Sequence, residues 1–507
     1  MKFADWIALL LSVLAVAASA LVTGQVYNAM PHLEDEIAYV WQARLAAEGK
    51  LTLPSPAHAD SFLVPFVIDH NGIRFGKYPP GWPAMLSLGV RAGLRDWVNP
   101  LLAGLAVWLI YRLGQKIFGE TVGLLAAGLT VVSPFFLINT GSLLSHPWGL
   151  VLATAFALFW LDVFWDKQGN SSRWRWLMVV TMAMVLGLLV LSRPYTAVGL
   201  VLPFAVHGLY LLIRGSWAVR RQLLVFALLV LALSGLLFVW QYAVTGDPLQ
   251  NPYTLWWSYD VLGFGPGHGV LEGGHTLHQG WVNTKFSLRA GYSDLFGWGL
   301  FSWIFLPFGL LALKRNWRGW LVAAIFPSLV LIYVAYWVGS WLFGPRYYFE
   351  GLQSLVLVSA LGIAWLAGWP TLPGQAFPHY AGIKRLRPLA VTGFVTLLVV
   401  LNLVFYMPPR LAMMHDLYGI GPDRQAPFKS PEAQALEPAL FIVHVPRWMP
   451  YGALLDLENP ELTSPMIFAI GVGPNTDAAL AQDYPGRNVY HYYPDEPWKF
   501  YIEPRSP

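Results

Sequence analysis

Apolar runs long enough to cross a bilayer recur along this chain, and they leave it few ways to fold. "QLLVFALLVLALSGLLFVW" (222–240) is one of them. A membrane-spanning helix needs about 20 mostly apolar residues. Runs of this kind lie near 5–23, 97–116, 120–138, 142–163, 176–192, 195–213, 222–243, 297–313, 319–338, 347–367 and 388–406. In hydrocarbon each backbone N–H and C=O must be bonded within the protein, which selects helices for such runs. The expectation is an all-α multi-pass membrane protein with about eleven spans.

Charge supports repeated crossing over a single anchor. Only 12% of the 507 residues are charged, where soluble domains carry roughly 25%, and the deficit spreads over many separate runs. The 25 Trp and 23 Tyr suit residues that favour the water–lipid interface. A net charge of +4 is too small to point to nucleic acid, and the absence of Cys excludes disulfides and thiolate metal sites.

The basic residues set the orientation. Lys2, Arg112 and Lys116, Lys167, Arg173 and Arg175, Arg214, Arg220 and Arg221, Lys314, Arg315 and Arg318, and Lys384, Arg385 and Arg387 fall on alternate connections. Short basic loops are retained on the cytoplasmic side. The long pieces 24–96, 244–296 and the tail from 407 then lie outside, so the working surface faces away from the cytoplasm. The first span also has signal-peptide features, with Lys2 ahead of it and "AVAASA" within it, but its apolar run is long enough to cross.

Residues 1–406 thus form a transmembrane domain and 407–507 an outer domain of another kind. "ALFIVHV", "PMIFAIGV" and "NVYHYY" read as short strands. "NTDAALAQ" reads as a helix opened by an Asn or Thr cap. This predicts a small α/β domain.

Polar chemistry concentrates on the outer pieces. "HLEDEIAYVWQARLAAEGK" (32–50) places Glu34, Asp35 and Glu36 at the first exit from the membrane. From Glu34 the pattern is helical, with an apolar stripe of Ile37, Val40, Trp41 and Leu45 and a second face of Asp35, Tyr39 and Gln42. Such a helix would lie on the membrane surface. Acids in a first turn also stabilise the helix dipole, which is the structural account of the same residues. In "DHNGIRFGKYPPGWPAML" (69–86), Arg74 and Lys77 precede a Pro-Pro turn. They are either phosphate ligands or interfacial anchors. Ser145 and His146, Arg193, and Arg346 with Tyr347 and Tyr348 stand where spans emerge on the outer side. The loop 246–280 carries His268, His275 and His278, which suit either a metal or, more simply, a mobile flap over a substrate.

"EDEIAYVWQARLAAEGKL", "GKYPPGWPAML" and "GPRYYFE" together resemble the membrane glycosyltransferases of the GT-C superfamily. Within it they resemble the family 39-like group, which is related to dolichyl-phosphate-mannose–protein mannosyltransferases and bacterial aminoarabinose transferases. The resemblance implies a GT-C fold in the cell (inner) membrane with the active site on the extracytoplasmic side. It implies a sugar donor on a polyprenyl phosphate, a lipid, glycan or protein acceptor, and membrane lipids as surroundings. It further implies a carboxylate base on the first outer loop, at Asp35 or Glu36, and cations for the donor phosphate at Lys77 and Arg346. Arg74, His146, Arg193, His275 and Tyr347 complete the substrate-binding candidates. No cofactor is called for, and a divalent metal stays open.

Chemistry reaches the same place independently. Nucleotide sugars and ATP are cytoplasmic, so an outward-facing transferase needs a donor already on the outer leaflet. Glycosidases need two carboxylates because a poor leaving group must be protonated. A phosphate leaves without that help, so one base and a set of cations suffice. The rival reading, a transporter or lipid flippase, calls for ionisable residues deep within spans, and the spans here are nearly free of acids.

Overall fold

A computed structural model describes residues 2–165, 172–378 and 382–505. Lys167 and the side chain of Lys384 fall outside the described part. Each of the eleven apolar runs falls on helix, but not on eleven straight helices. Among the described residues, eight helices are long and apolar enough to cross a membrane unbroken, from Phe3–Gln25 to the one that begins at Leu386. Two further runs are bent. Glu120–Val131 meets Pro134–Thr140 at 62°, and Leu277–Asp294 meets Gly299–Leu313 at 95°. Trp317–Tyr333 is a shorter apolar stretch.

The bends have local causes. Ser133 caps the second half of the first pair, its Oγ accepting from Phe136 N–H at 3.2 Å, and Pro134 follows as the first helical residue. Proline has no N–H to continue the preceding helix. In the second pair Gly297 takes φ +70°, which turns the chain between its two arms. The Leu277–Asp294 arm departs from the expected Gly- and His-rich flap. It is too polar to show as an apolar run, and Thr276 opens it by accepting from Gln279 N–H at 3.1 Å.

The first span packs closely on the helix Val98–Phe118, with Ala8 and Ala15 fully buried. Small residues allow such approach where lipid supplies no hydrophobic drive between helices. Asp5 on that span is held by Tyr111 Oη at 2.7 Å.

The first outer loop opens with the helix Glu34–Ala47. It continues through a three-stranded antiparallel sheet of β1 (Leu53–Pro54), β2 (Val67–His70) and β3 (Ile73–Gly76), in the order β1-β3-β2. The helix does not rest its stripe on a membrane surface. Ile37, Trp41 and Leu45 are buried in one cluster with Phe428, Phe441 and Tyr451 of the C-terminal part, while Val40 joins the membrane core. An apolar stripe fixes the need for a partner without choosing it, and here another protein surface meets that need.

The C-terminal part holds β4 (Ala439–Val443), β5 (Met466–Ile470), β6 (Asn488–Tyr492) and β7 (Phe500–Tyr501) in the order β5-β4-β6-β7. The first three run parallel and β7 is antiparallel. The helix between β5 and β6 is Pro474–Asp483. Gly473 precedes it, and Asp477, not an Asn or Thr cap, reaches back to the N–H of Val472 at 3.2 Å.

Candidate active site

A cavity of about 650 Å³ opens where six main pieces of chain meet. They are the start of the Glu34–Ala47 helix, the Lys77–Pro79 turn, residues 144–146 and 192–196 at two span ends, the segment 251–262, and the segment 333–347. Asp35, Lys77, His146, Arg193, Arg346 and Tyr347, proposed from sequence, all line it. Glu34 and Asp260 line it as well.

Asp35 sits at the second position of its helix, so its side chain leaves the helix end toward the cavity. Tyr78 Oη donates to Asp35 Oδ1 at 2.5 Å, and Arg346 Nη2 stands 3.3 Å from Oδ2. About a fifth of its side chain stays exposed (21%). Burial pushes the carboxyl up, but the charge of Arg346, the Tyr78 hydroxyl and Lys77 together hold it below its usual range. Neighbouring Glu34 is pushed up, chiefly by burial.

Lys77 enters through the rigid turn that follows β3. Its ammonium lies 3.5 Å from the centre of the Phe66 ring and 4.9 Å from the rings of Tyr253 and Trp257. Asp260 is the nearest carboxylate, at 3.6 Å, held in turn by Trp337 Nε1 at 3.0 Å. A cation over aromatic faces gains roughly 0.5–2 kcal/mol per favourable contact, more as water is removed. Burial draws the Lys77 pKa down, and Asp260 and Asp35 offset only part of that.

Arg193 belongs to a deeper group. Its Nε is 2.9 Å from Glu350 Oε1, and its Nη1 donates to Ser145 Oγ at 2.9 Å. His146 Nδ1 is 3.4 Å from the same Glu350 oxygen, and Glu350 is fully buried. Glu350 therefore pairs with Arg193 in the wall, with His146 alongside. Tyr347 stacks on Tyr333, with ring centres 5.2 Å apart, and lies beneath the guanidinium of Arg346.

Three sequence candidates are placed elsewhere. Glu36 is buried and accepts from the N–H groups of His32 (2.8 Å), Leu33 (3.1 Å) and Leu143 (2.7 Å). It ties the loop to a span end and does not line the cavity. Arg74 points from β3 to Asp69 on β2, with Nη2 2.7 Å from Oδ2. His275 bonds the carbonyl of Val334 at 2.9 Å and stacks on Phe264. Among the described residues, His268, His275 and His278 do not converge as a metal set.

Sequence reading missed Glu34 as a cavity residue, Asp260, Glu350 and the rings around Lys77. Glu350 carried a faint signal, standing four residues after Arg346 at a span end. Asp260 carried none beyond its place in an aromatic loop.

Each cavity cation thus faces a carboxylate: Arg346 with Asp35, Lys77 with Asp260, Arg193 with Glu350. An anion entering the cavity meets fixed positive groups in surroundings drier than bulk water, where such contacts are strongest. A carboxylate that can take a proton stands among them.

Comparison with known proteins follows this geometry. The family model for dolichyl-phosphate-mannose-protein mannosyltransferase matches residues 88–240. No curated protein sequence matches the chain. Among solved structures, ArnT from Cupriavidus metallidurans bound to undecaprenyl phosphate superposes with a TM-score of 0.59 at 14% identity, over 98% of this chain and 91% of that one. Its apo form gives 0.57 at 13% identity, over 95% and 88%. The oligosaccharyltransferase AglB from Archaeoglobus fulgidus, in complex with an inhibitory peptide and a dolichol-phosphate, gives 0.51 at 12% identity, over 92% of this chain and 65% of that one. With these likenesses across nearly its whole length, the chain is a multi-pass membrane protein of the GT-C fold.

Proposed function

We propose that this protein is a glycosyltransferase that moves a sugar from a polyprenyl-phosphate-linked donor to an acceptor on the outer face of the cell (inner) membrane. The observation that carries the reading is Asp35 in one cavity with Lys77, Arg193 and Arg346. The ligands named for ArnT and AglB, both polyprenyl phosphates, support the donor class. The alternation of basic loops supports the side, with the cavity and the C-terminal part (407–507) outside.

The acceptor hydroxyl oxygen attacks the anomeric carbon, and the bond from that carbon to the phosphate oxygen breaks with its electrons on the phosphate. The acceptor proton passes to Asp35. Donor phosphate draws Arg346 away from Asp35, so the cation that keeps the carboxylate weakly basic is withdrawn as the reaction begins. Lys77 and Arg346 hold the charge that grows on the leaving phosphate. The acceptor is a lipid, glycan or protein hydroxyl, and the chemistry needs no cofactor.

The test compares cell-envelope glycans by mass spectrometry in cells with wild-type protein, without it, and with Asp35→Asn. One sugar should be missing from a defined glycan in the second and third cases. Identical glycans in all three would overturn the reading.

A further inference from the structure

The C-terminal sheet carries a second group of polar side chains that shares no residue with the cavity. Among the described residues, His444, Asp477 and His491 are the one set of three His or acidic side chains whose ligand atoms all lie within 4.8 Å of one another. They come from three places in sequence. His444 follows β4, Asp477 stands in the first turn of the helix after β5, and His491 lies near the end of β6.

The topology gives this spot meaning. The chain runs from central β4 outward to β5, then crosses over to β6 on the other flank. In open parallel sheets, ligands bind beyond the carboxyl ends of the strands where the order reverses in this way. His444 and His491 lie at those ends.

The side chains are held as ligands are held. His444 Nε2 is 2.9 Å from His491 Nδ1. Tyr493 stacks on the His444 ring, with centres 4.5 Å apart and planes 10° from parallel. Asp477 and His491 are buried. Asp477 Oδ1 takes the N–H of Val472, which orients the carboxylate and leaves Oδ2 for another partner. Beside them Gly471 leaves room for the ring, since a Cβ there would stand 2.7 Å from His444 Nδ1. Outer contacts of this kind fix ring and carboxylate orientation at metal sites.

We propose that His444, Asp477 and His491 bind one divalent transition-metal ion of the zinc class, with an open fourth position. Zinc holds imidazole nitrogen at about 2.0–2.1 Å, so two of its ligands stand roughly 3.4 Å apart. The two ring nitrogens here stand 2.9 Å apart and the three ligand atoms lie within 4.8 Å of one another, so side-chain rotations seat the ion. The ion takes the place of the hydrogen bond between the two rings; the donor ring carries its proton on its other nitrogen, so both face the ion as neutral imidazoles. Bound there, it ties the end of β4, the start of the helix after β5 and the end of β6 together.

The test uses the full-length, tag-free protein in detergent, stripped with chelator and titrated with Zn²⁺ by calorimetry and with Co²⁺ by visible absorption. Wild type should take one equivalent and give the ligand-field bands of a four-coordinate cobalt site. His444→Gln and Asp477→Asn, both near-isosteric, should weaken Zn²⁺ binding by at least about 10-fold and lose the bands. Gly471→Ala should weaken it by displacing the ring. No stoichiometric uptake by wild type, or equal affinity in His444→Gln and Asp477→Asn, would leave only a hydrogen-bonded histidine pair and overturn the proposal.

Discussion

Asp35 and Glu36 are adjacent carboxylates with opposite fates. Successive side chains on a helix point about 100° apart, and here Asp35 lines the cavity while Glu36 does not. Glu36 is consumed by three backbone N–H groups, while Asp35 keeps an exposed edge beside Arg346. This pairing gives a pH signature. In the free enzyme Asp35 is held below its usual range, so it stays ionised until the medium is more acid than an ordinary carboxylate requires. The acid limb of kcat/KM, which reports the free enzyme, should therefore lie low. Once donor phosphate occupies Arg346, that depression is relieved, and the acid limb of kcat should move to higher pH. Coincident limbs in profiles of the purified enzyme would mean that phosphate does not draw Arg346 from Asp35. In Asp35→Asn, turnover should fall by about 10²-fold or more with folding intact, since a general base contributes roughly 10²–10⁴.

At the scale of elements, the 95° bend near Gly297 sets where the polar helix Leu277–Asp294 lies relative to the span that follows. Gly297 has φ +70°, and a Cβ there would fall on Asn402 Oδ1. Asn402 is itself committed, its Nδ2 donating to the carbonyl of Val132 at 2.7 Å. Gly297→Ala therefore combines backbone strain with a clash that disturbs a half-buried hydrogen bond. A loss of about 2 kcal/mol or more is expected, read as a lower melting temperature in detergent. Gly299→Ala is the control for strain alone, because its φ is +56° but nothing lies within 4 Å of its Cβ. Equal losses in the two variants would remove Asn402 from the account.

At the scale of the whole molecule, the C-terminal part is fastened to the membrane part through the first outer loop. Asp456 receives Arg44 Nη2 at 2.7 Å and Arg95 Nη1 at 2.5 Å, and its side chain is only 13% exposed. Beside this knot, Ile37, Trp41 and Leu45 share a core with Phe428, Phe441 and Tyr451. The helix that presents Asp35 is thus clamped from behind. Asp456→Asn keeps the shape but leaves two guanidinium groups without their shared charge. Removing one partner of a buried ion pair costs about 3–5 kcal/mol, and the partial exposure here places the expected loss at the lower end. Thermal unfolding should show it, and a double-mutant cycle with Arg44→Met should give a coupling of about 0.5–3 kcal/mol. Additive effects would mean that the apolar core alone holds the two parts together.

Much of this architecture was legible in the sequence, because the forces behind it are local. A helix in lipid must satisfy its own backbone, so an apolar run announces a span whatever its neighbours are. Likewise "ALFIVHV" and "PMIFAIGV" contain β4 and β5, since buried strands in a parallel sheet are continuous apolar runs, and the β-branched and aromatic "NVYHYY" contains β6. The acidic exit, Lys77 and Arg346 stood out as polar groups on an otherwise apolar chain. What the sequence left open were relations between distant pieces. Neither composition nor spacing could say that Asp35 faces Arg346, that Asp260 and aromatic rings enclose Lys77, or that Glu350 anchors Arg193. Nor could they say that the stripe of the first-loop helix meets a sheet some four hundred residues later. An apolar surface or a buried charge requires a partner, but every partner of the right chemistry satisfies that requirement equally until packing brings one of them within reach.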